Sequence, residues 1–339
     1  MLTYAIWNNK GGTGKTSLAF QTICKYAKSN PTKRILAIDI CPQANMSELF
    51  LGGLQNGGSG KLLERQGMTP RCSIGGYFDL RMPSAHQIPS FNAKEYITSP
   101  WKYNSSIPKS IDLVCGDPLL ELQAIAMNSL ANLQLPGVNT WLGVIDWLRD
   151  FLARIDSDYD IVFIDTNPSF SMYTQIALAA ADRVVLPVMA DDSSRRAIQN
   201  AFSLIYGLKL PSKVYEQYTF ASKMKVAGRS LPKVHLILKN RLTQYMGSAS
   251  AYAAVLSGID TDLIDLVNSY GEHFTFNKVT DGIVEIRDFG TTGVVAFARG
   301  TPFDILKTGK LNISGHRVEV NKDYRDLAIK AINSIATKL

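Results

Sequence analysis

Cysteine is scarce in this 339-residue chain: Cys24, Cys41, Cys72 and Cys115 lie far apart, with no C-x-x-C pair and no histidine beside them. That spacing excludes a zinc ribbon or a disulfide scaffold and suits a reducing, cytoplasmic setting. No apolar run approaches the roughly 18 residues a membrane span needs. Residues 1–9 hold no charged stretch followed by a cleavage site, so no signal peptide is expected. Acids are also in short supply: 29 Asp and Glu face 36 Lys and Arg, a net charge of +7. The imbalance concentrates in residues 209–241, where Lys209, Lys213, Lys223, Lys225, Arg229, Lys233, Lys239 and Arg241 meet the single acid Glu216. Such density reads either as a solvated basic face or as a surface for a polyanion.

What is present is the pattern of an α/β protein. Apolar runs at residues 2–7, 34–40, 111–115, 161–165, 183–188, 234–239 and 294–298 read as strands, several of them followed by helical periodicity. Continuous rather than alternating apolar runs suit a doubly wound, mostly parallel sheet flanked by helices on both faces. Residues 52–110, rich in Gly, Ser and Pro, are expected to be a surface insertion on a single domain spanning 1–339, as are residues 206–233. Within the first, residues 57–61 imitate a phosphate loop but lack the following Ser or Thr and a preceding strand, and read as a loop. Residues 324–339 place Leu327, Ala328, Ala331, Ile332, Ile335 and Leu339 on one side of a helix, expected to pack on the sheet rather than on a membrane.

The chemistry concentrates near the N-terminus. Asn9-Lys10-Gly11-Gly12-Thr13-Gly14-Lys15-Thr16 follows a strand and opens a helix. It nearly matches G-x-x-x-x-G-K-[ST], with Asn9 in the place of the first Gly. Gly11, Gly12 and Gly14 let backbone N–H groups curl around a phosphate chain. The helix start, including Ser17, adds its positive end. Lys15 suits the β- and γ-phosphates, and the Thr16 hydroxyl suits Mg2+. Lys10 is surplus to a single site: it is either a solvated loop lysine or a charge directed at a partner's phosphates. Two acids end buried strands: Asp39 beside the phosphate loop and Asp165 where it can hold water on a metal. Each acid has a rival role as a helix cap, a closer contest for Asp39 than for Asp165.

The three segments KGGTGKT (residues 10–16), IDICPQAN (38–45) and FIDTNPS (163–169), in this order, resemble the deviant Walker A, A′ and B motifs of the ParA/MinD family of ATPases. The likeness extends through residues 111–117 and Pro187 and is looser in 52–110 and 206–233. It implies ATP and Mg2+ as cofactors and a homodimer in the ATP state, with Lys10 as the signature lysine reaching the partner's nucleotide. It further implies Lys15 and Thr16 as phosphate and magnesium groups, and Asp165 as the Walker B acid. Asn240 stands where such ATPases present an asparagine to adenine, and Pro302 in the loop lining the other side of the base.

One departure matters. The family's A′ motif usually reads Asp-x-Asp-Pro-Gln, and here Cys41 replaces the second acid. A mostly protonated thiol cannot orient water as a carboxylate does. Slow hydrolysis of ATP to ADP and phosphate is expected, or hydrolysis leaning on another group such as Asp39. The phosphate loop begins at residue 10, leaving no room in this sequence for a preceding helix-turn-helix domain. The resemblance therefore implies a partition ATPase with nonspecific DNA binding in the ATP state and a ParB-like adaptor. The alternative is a MinD-like positioning ATPase on a membrane or protein platform. Lys307, Lys310, Lys322, Lys330 and Lys338 add to the basic surface that DNA would use.

Overall fold

In the computed structural model, residues 1–189, 191–242 and 249–339 are described, with side chains for all of these except 192, 241 and 249–256. Seven strands form the main sheet: β1 (Leu2–Ile6), β2 (Ile35–Ile40), β3 (Ile111–Val114), β4 (Ile161–Thr166), β5 (Arg183–Met189), β6 (Lys233–Leu242) and β7 (Ile283–Arg287). Their order is β3-β2-β4-β1-β5-β6-β7, and every pairing is parallel. β8 (Gly309–Ile313) and β9 (His316–Val320) form a separate antiparallel hairpin.

Helices cover both faces, which is why the central strands are buried at nearly every position. Along the first half run α1 (Lys15–Ser29), α2 (Asn45–Leu51), α3 (Gly58–Gln66), α4 (Ile74–Arg81), α5 (Leu120–Ala131), α6 (Thr140–Ile145) and α7 (Trp147–Ala153). The second half supplies α8 (Met172–Ala180), α9 (Asp192–Tyr206), α10 (Phe220–Val226), α11 (Ala249–Ser269), α12 (Val279–Gly282), α13 (Gly290–Arg299) and α14 (Lys322–Ala336). One core layer gathers α4 to α11, with Tyr77, Trp147 and Phe202 among its large side chains. The other gathers α1, α2, α13 and α14 around Phe20, Phe50 and Phe163.

Several expectations need correcting. Residues 294–298 form no strand; they lie in α13, which buries Thr292, Val295, Ala296 and Ala298 and exposes Val294 and Phe297. A five-residue apolar run is too short for periodicity to separate strand from helix. The last strand of this sheet is instead β7, at the edge beyond β6, and its burial alternates along the strand. The segment 57–61 is no loop: α3 starts at Gly58, after Gly57 in a left-handed turn at φ 71°.

Residues 52–110 are more than a surface elaboration, since Ile74, Tyr77, Phe78 and Tyr96 enter the core. Residues 206–233 likewise contribute Tyr206, Phe220 and Met224. α14 packs on the sheet through Ala328, Ile332 and Ile335, although Leu327 of the expected apolar side is 41% exposed, and the Tyr4 hydroxyl ties the chain end by donating to the Leu339 carbonyl at 2.8 Å. Among the described residues, no helix is long and apolar enough to cross a membrane.

Candidate nucleotide site

Parallel register assembles the site. Ile6, Asp165 and Asp39 fall opposite one another at the C-terminal ends of β1, β4 and β2. The loop leaving β1 therefore arches over two buried carboxylates. Asn8 fixes its path, donating through Nδ2 to the Pro187 carbonyl at 2.8 Å and accepting from the Lys10 amide at 2.9 Å.

Gly14 is the position that only glycine fits. Its φ is 84°, and a Cβ there would lie 2.4 Å from Asn240 Nδ2. The close approach exists because Asn240, late in β6, donates to the Thr13 carbonyl at 2.9 Å. By contrast, a Cβ on Gly11 or Gly12 would meet nothing within 4 Å, so the crown of the loop faces open space.

The polar groups are arranged for an anion above and a cation below. Lys15 Nζ donates to the Asn8 and Lys10 carbonyls, both at 3.2 Å. Burial holds its ammonium below the ordinary lysine range, against the pull of Asp165. Thr16 Oγ1 donates to Asp165 Oδ2 at 2.8 Å. Asp39 Oδ2 accepts from the Ser47 amide at 2.8 Å and the Ser47 hydroxyl at 2.7 Å, so half of this carboxylate anchors the first turns of α2. Oδ1 of Asp39 and Oδ1 of Asp165 are buried without a hydrogen-bond partner.

Burial pushes both carboxyls above their ordinary range, and the neighbouring Asp39 pushes Asp165 further. Two buried carboxylates with orphaned oxygens fit a divalent cation that takes one or two carboxylate contacts and shares the rest with phosphate and water. Cys41, 9% exposed, has its thiol pushed up to about 12, by burial first and then by Asp39 and Asp165.

Lys10 behaves differently from Lys15. Its Nζ donates to Asp191 Oδ2 at 2.6 Å and Oδ1 at 2.9 Å, and to the Ser193 hydroxyl, at the start of α9. It is thus held to the side of the loop rather than inside it.

Next to Gly14, Ser17 and Asn240 lies a cavity of about 540 Å³, closed by Glu48, Asp288, Phe289, Val294 and Phe297. Val294 and Phe297 belong to the run expected to be a strand, which as α13 turns them toward this cavity. The signal available was the Gly290/Gly293 spacing with apolar residues a turn later. Pro302 is not brought to this cavity. It lines a separate one of about 350 Å³ with Cys24, Phe303 and Ile332. Its loop is pinned to mid-α1, where Gln21 accepts from the Phe303 amide and donates to the Thr301 carbonyl.

The strand–glycine loop–helix unit, the Thr16–Asp165 bond and the second lysine define a P-loop protein of the ParA/MinD kind. The AAA domain family model matches residues 1–213, and the chain belongs to that family, as a ParA/MinD-type P-loop ATPase. The chromosome-partitioning ATPase Soj of Thermus thermophilus is 29% identical over 191 residues, 55% of this chain and 54% of that protein. An uncharacterized protein of Pseudomonas putida is 26% identical over 189 residues, 56% of each chain. The chain thus matches about half the length of these curated relatives. McdA of Cyanothece, solved in complex with ATP, superposes with a TM-score of 0.63 at 14% identity, covering 100% of this chain and 96% of that one. The ParA of pnob8 gives 0.57 at 15%, covering 99% and 96%. At these identities the structural likeness is one of fold.

Proposed function

We propose that this chain is an ATP-dependent dimerising switch that positions DNA, binding duplex nonspecifically in the ATP state and hydrolysing ATP slowly. The observation that carries this is the division of labour between two lysines. Lys15 sits inside the loop, while Lys10 is held outside it on Asp191, a pair that would have to open for Lys10 to reach a second subunit's nucleotide. The names of the relatives, a chromosome-partitioning ATPase and a ParA, supply the DNA cargo.

ATP would supply the phosphate chain and Mg2+ the countercharge. Loop amides and Lys15 would hold the phosphates, Thr16 and Asp165 the metal, with Asp39 beside them, and Asn240 the base side. Val294 and Phe297, on α13, give the base an apolar wall. Cys41 stays a neutral thiol across the physiological range and cannot serve as a general base, so turnover is expected to be slow. A ParB-like adaptor would then accelerate it.

The basic surface shrinks on inspection of the fold. Arg229 is bound to Asp146 at 2.5 Å, and Lys239 is buried against Asp260 at 2.5 Å. The side chain of Arg241 lies outside the described residues. Lys209, Lys213, Lys225 and Lys233 remain exposed, with Tyr215 and Tyr218 among them. Lys307, Lys310, Lys322, Lys330 and Lys338 belong to the layer with α14, on the opposite side of the sheet from α10. A single duplex therefore has the α9–α10 side as its best platform. Against α14 as a membrane anchor in the MinD-like alternative stands its burial of Ala328, Ile332 and Ile335 in the core.

The discriminating experiment measures binding to unrelated duplex DNA and to anionic vesicles, with ATP and with ADP, over a salt series. DNA binding that needs ATP and weakens steeply with salt supports the proposal; vesicle binding without DNA binding overturns it. Lys10→Ala should keep ATP affinity and lose the dimer, and a variant that still dimerises with ATP removes Lys10 from this role.

A further inference from the structure

The cavity of about 350 Å³ beside Pro302 is no part of the nucleotide site, for it shares no lining residue with the base-side cavity. It opens between α1, α14, the loop at residues 302–305 and the segment that leads into β3.

Burial grades its lining from floor to mouth. Cys24, Ala27, Phe303 and Ile332 are each at most 3% exposed. The Gln21 amide among them is spent on the Phe303 amide and the Thr301 carbonyl, so the deep wall is apolar in character. Charge gathers at the rim instead. Lys28 and Lys109 are exposed, and Lys25 is 18% exposed. The single lining acid, Asp304, pairs with Lys25 and with Lys28, both at 3.2 Å. Three lysines against one carboxylate leave the lining two positive charges in excess. Lys109 Nζ lies 5.2 Å from the Trp101 ring centroid, a cation–π contact that brings no negative charge to the mouth.

An apolar depth of this size with a few charged groups at its edge has the general form of a small-molecule site. A phosphate-rich ligand would leave most of its oxygens against the apolar wall, and a cation would be repelled at the rim. We propose that this cavity binds a small amphipathic anion. Its apolar body rests on Cys24, Ala27, Phe303 and Ile332, and its single acidic head is held by Lys28 and Lys109. The site is independent of the dimerising-switch function proposed above.

The probe is 8-anilinonaphthalene-1-sulfonate, titrated by fluorescence into the full chain. A non-hydrolysable ATP analogue and Mg2+ are present at saturation, so that the base-side cavity is closed to the dye. The same aromatic body without the sulfonate, N-phenyl-1-naphthylamine, is the control. One saturable site is expected, with the neutral control ~10-fold weaker or more. The Lys28→Glu, Lys109→Glu double variant changes two exposed side chains, so the chain is expected to fold and to bind nucleotide as the parent does. It should weaken dye binding ~5-fold or more. Ile329→Trp, on the half-buried wall, should fill the cavity and remove the site.

Dye affinity left unchanged by the charge-reversal variant overturns the proposal, because the dye then sits elsewhere. A neutral control bound as tightly as the dye overturns the acidic class of ligand. Dye binding abolished by the ATP analogue places the probe in the base-side cavity, and the proposal fails.

Discussion

Placing Asn at position 191 tests whether the held lysine restrains dimer formation. The Lys10–Asp191 pair is 2.6 Å long, with side chains 25% and 41% exposed. Solvent screening therefore keeps its contribution to about 0.5 kcal/mol per protomer. A dimer frees two such lysines, about 1 kcal/mol in all, or ~5-fold in the dimerisation constant. Asn retains an acceptor oxygen for the Ser194 amide, the 2.9 Å bond that caps α9, so the helix start is expected to hold while the charge goes. Sedimentation with a non-hydrolysable ATP analogue should show Asp191→Asn dimerising ~5-fold more tightly than the parent, with ATP affinity unchanged. The gain should shrink as salt rises, because a partly exposed pair is screened. An unchanged or weaker dimerisation constant refutes the idea that Lys10 leaves Asp191 to act across the interface.

Three further outcomes follow from the site. Gly14→Ala combines a φ of 84° with a Cβ 2.4 Å from Asn240 Nδ2. It should cost about 2–4 kcal/mol in chemical denaturation and abolish ATP binding; a loss under about 1 kcal/mol means the loop yields more easily than its geometry implies. Cys41→Asp restores an acid to the A′ motif and should raise ATP turnover by on the order of a hundredfold, whereas turnover no faster than the parent's removes Cys41 from the explanation. The same thiol predicts a pH effect: folding raises its pKa to about 12, so the unfolded chain loses this proton first. Its contribution to stability is full below the unfolded value of about 8.5 and is lost as pH climbs toward 12, at up to about 1.4 kcal/mol per pH unit. Stability measured from pH 8 to 10.5 should fall less steeply in Cys41→Ser than in the parent; parallel slopes contradict the assigned burial.

The parts legible in the sequence were those carried by local geometry. A glycine-rich loop between an apolar strand and a helix has few other uses, and continuous apolar runs at β2 and β4 reflect strands covered on both faces. What escaped depended on partners far along the chain. Lys10 meets Asp191, 181 residues away, and nothing near Lys10 announces that contact. Asp39 was readable both as a site acid and as a helix cap, and its carboxylate is in fact divided, one oxygen on Ser47 and one without a partner. Pro302 rests on the resemblance alone, and the loop that carries it is held by contacts to Gln21, some 280 residues back along the chain, that no local pattern announces.

The divided carboxylate also ties the nucleotide end of the sheet to the start of α5. Asp39 holds Ser47 through its amide and hydroxyl, and the Ser47 hydroxyl accepts the Gly116 amide at 2.8 Å. Asp117, the next residue, accepts from the Leu119 amide at 3.0 Å, one residue before α5 begins. It also receives Arg71 and the Ser73 hydroxyl that caps α4. Hydrogen bonds joined through the Gly116–Asp117 peptide therefore link Asp39 to Leu119, the residue before α5. A cation drawn to the orphaned oxygens of Asp39 and Asp165 would act on a carboxylate already fixed by those bonds.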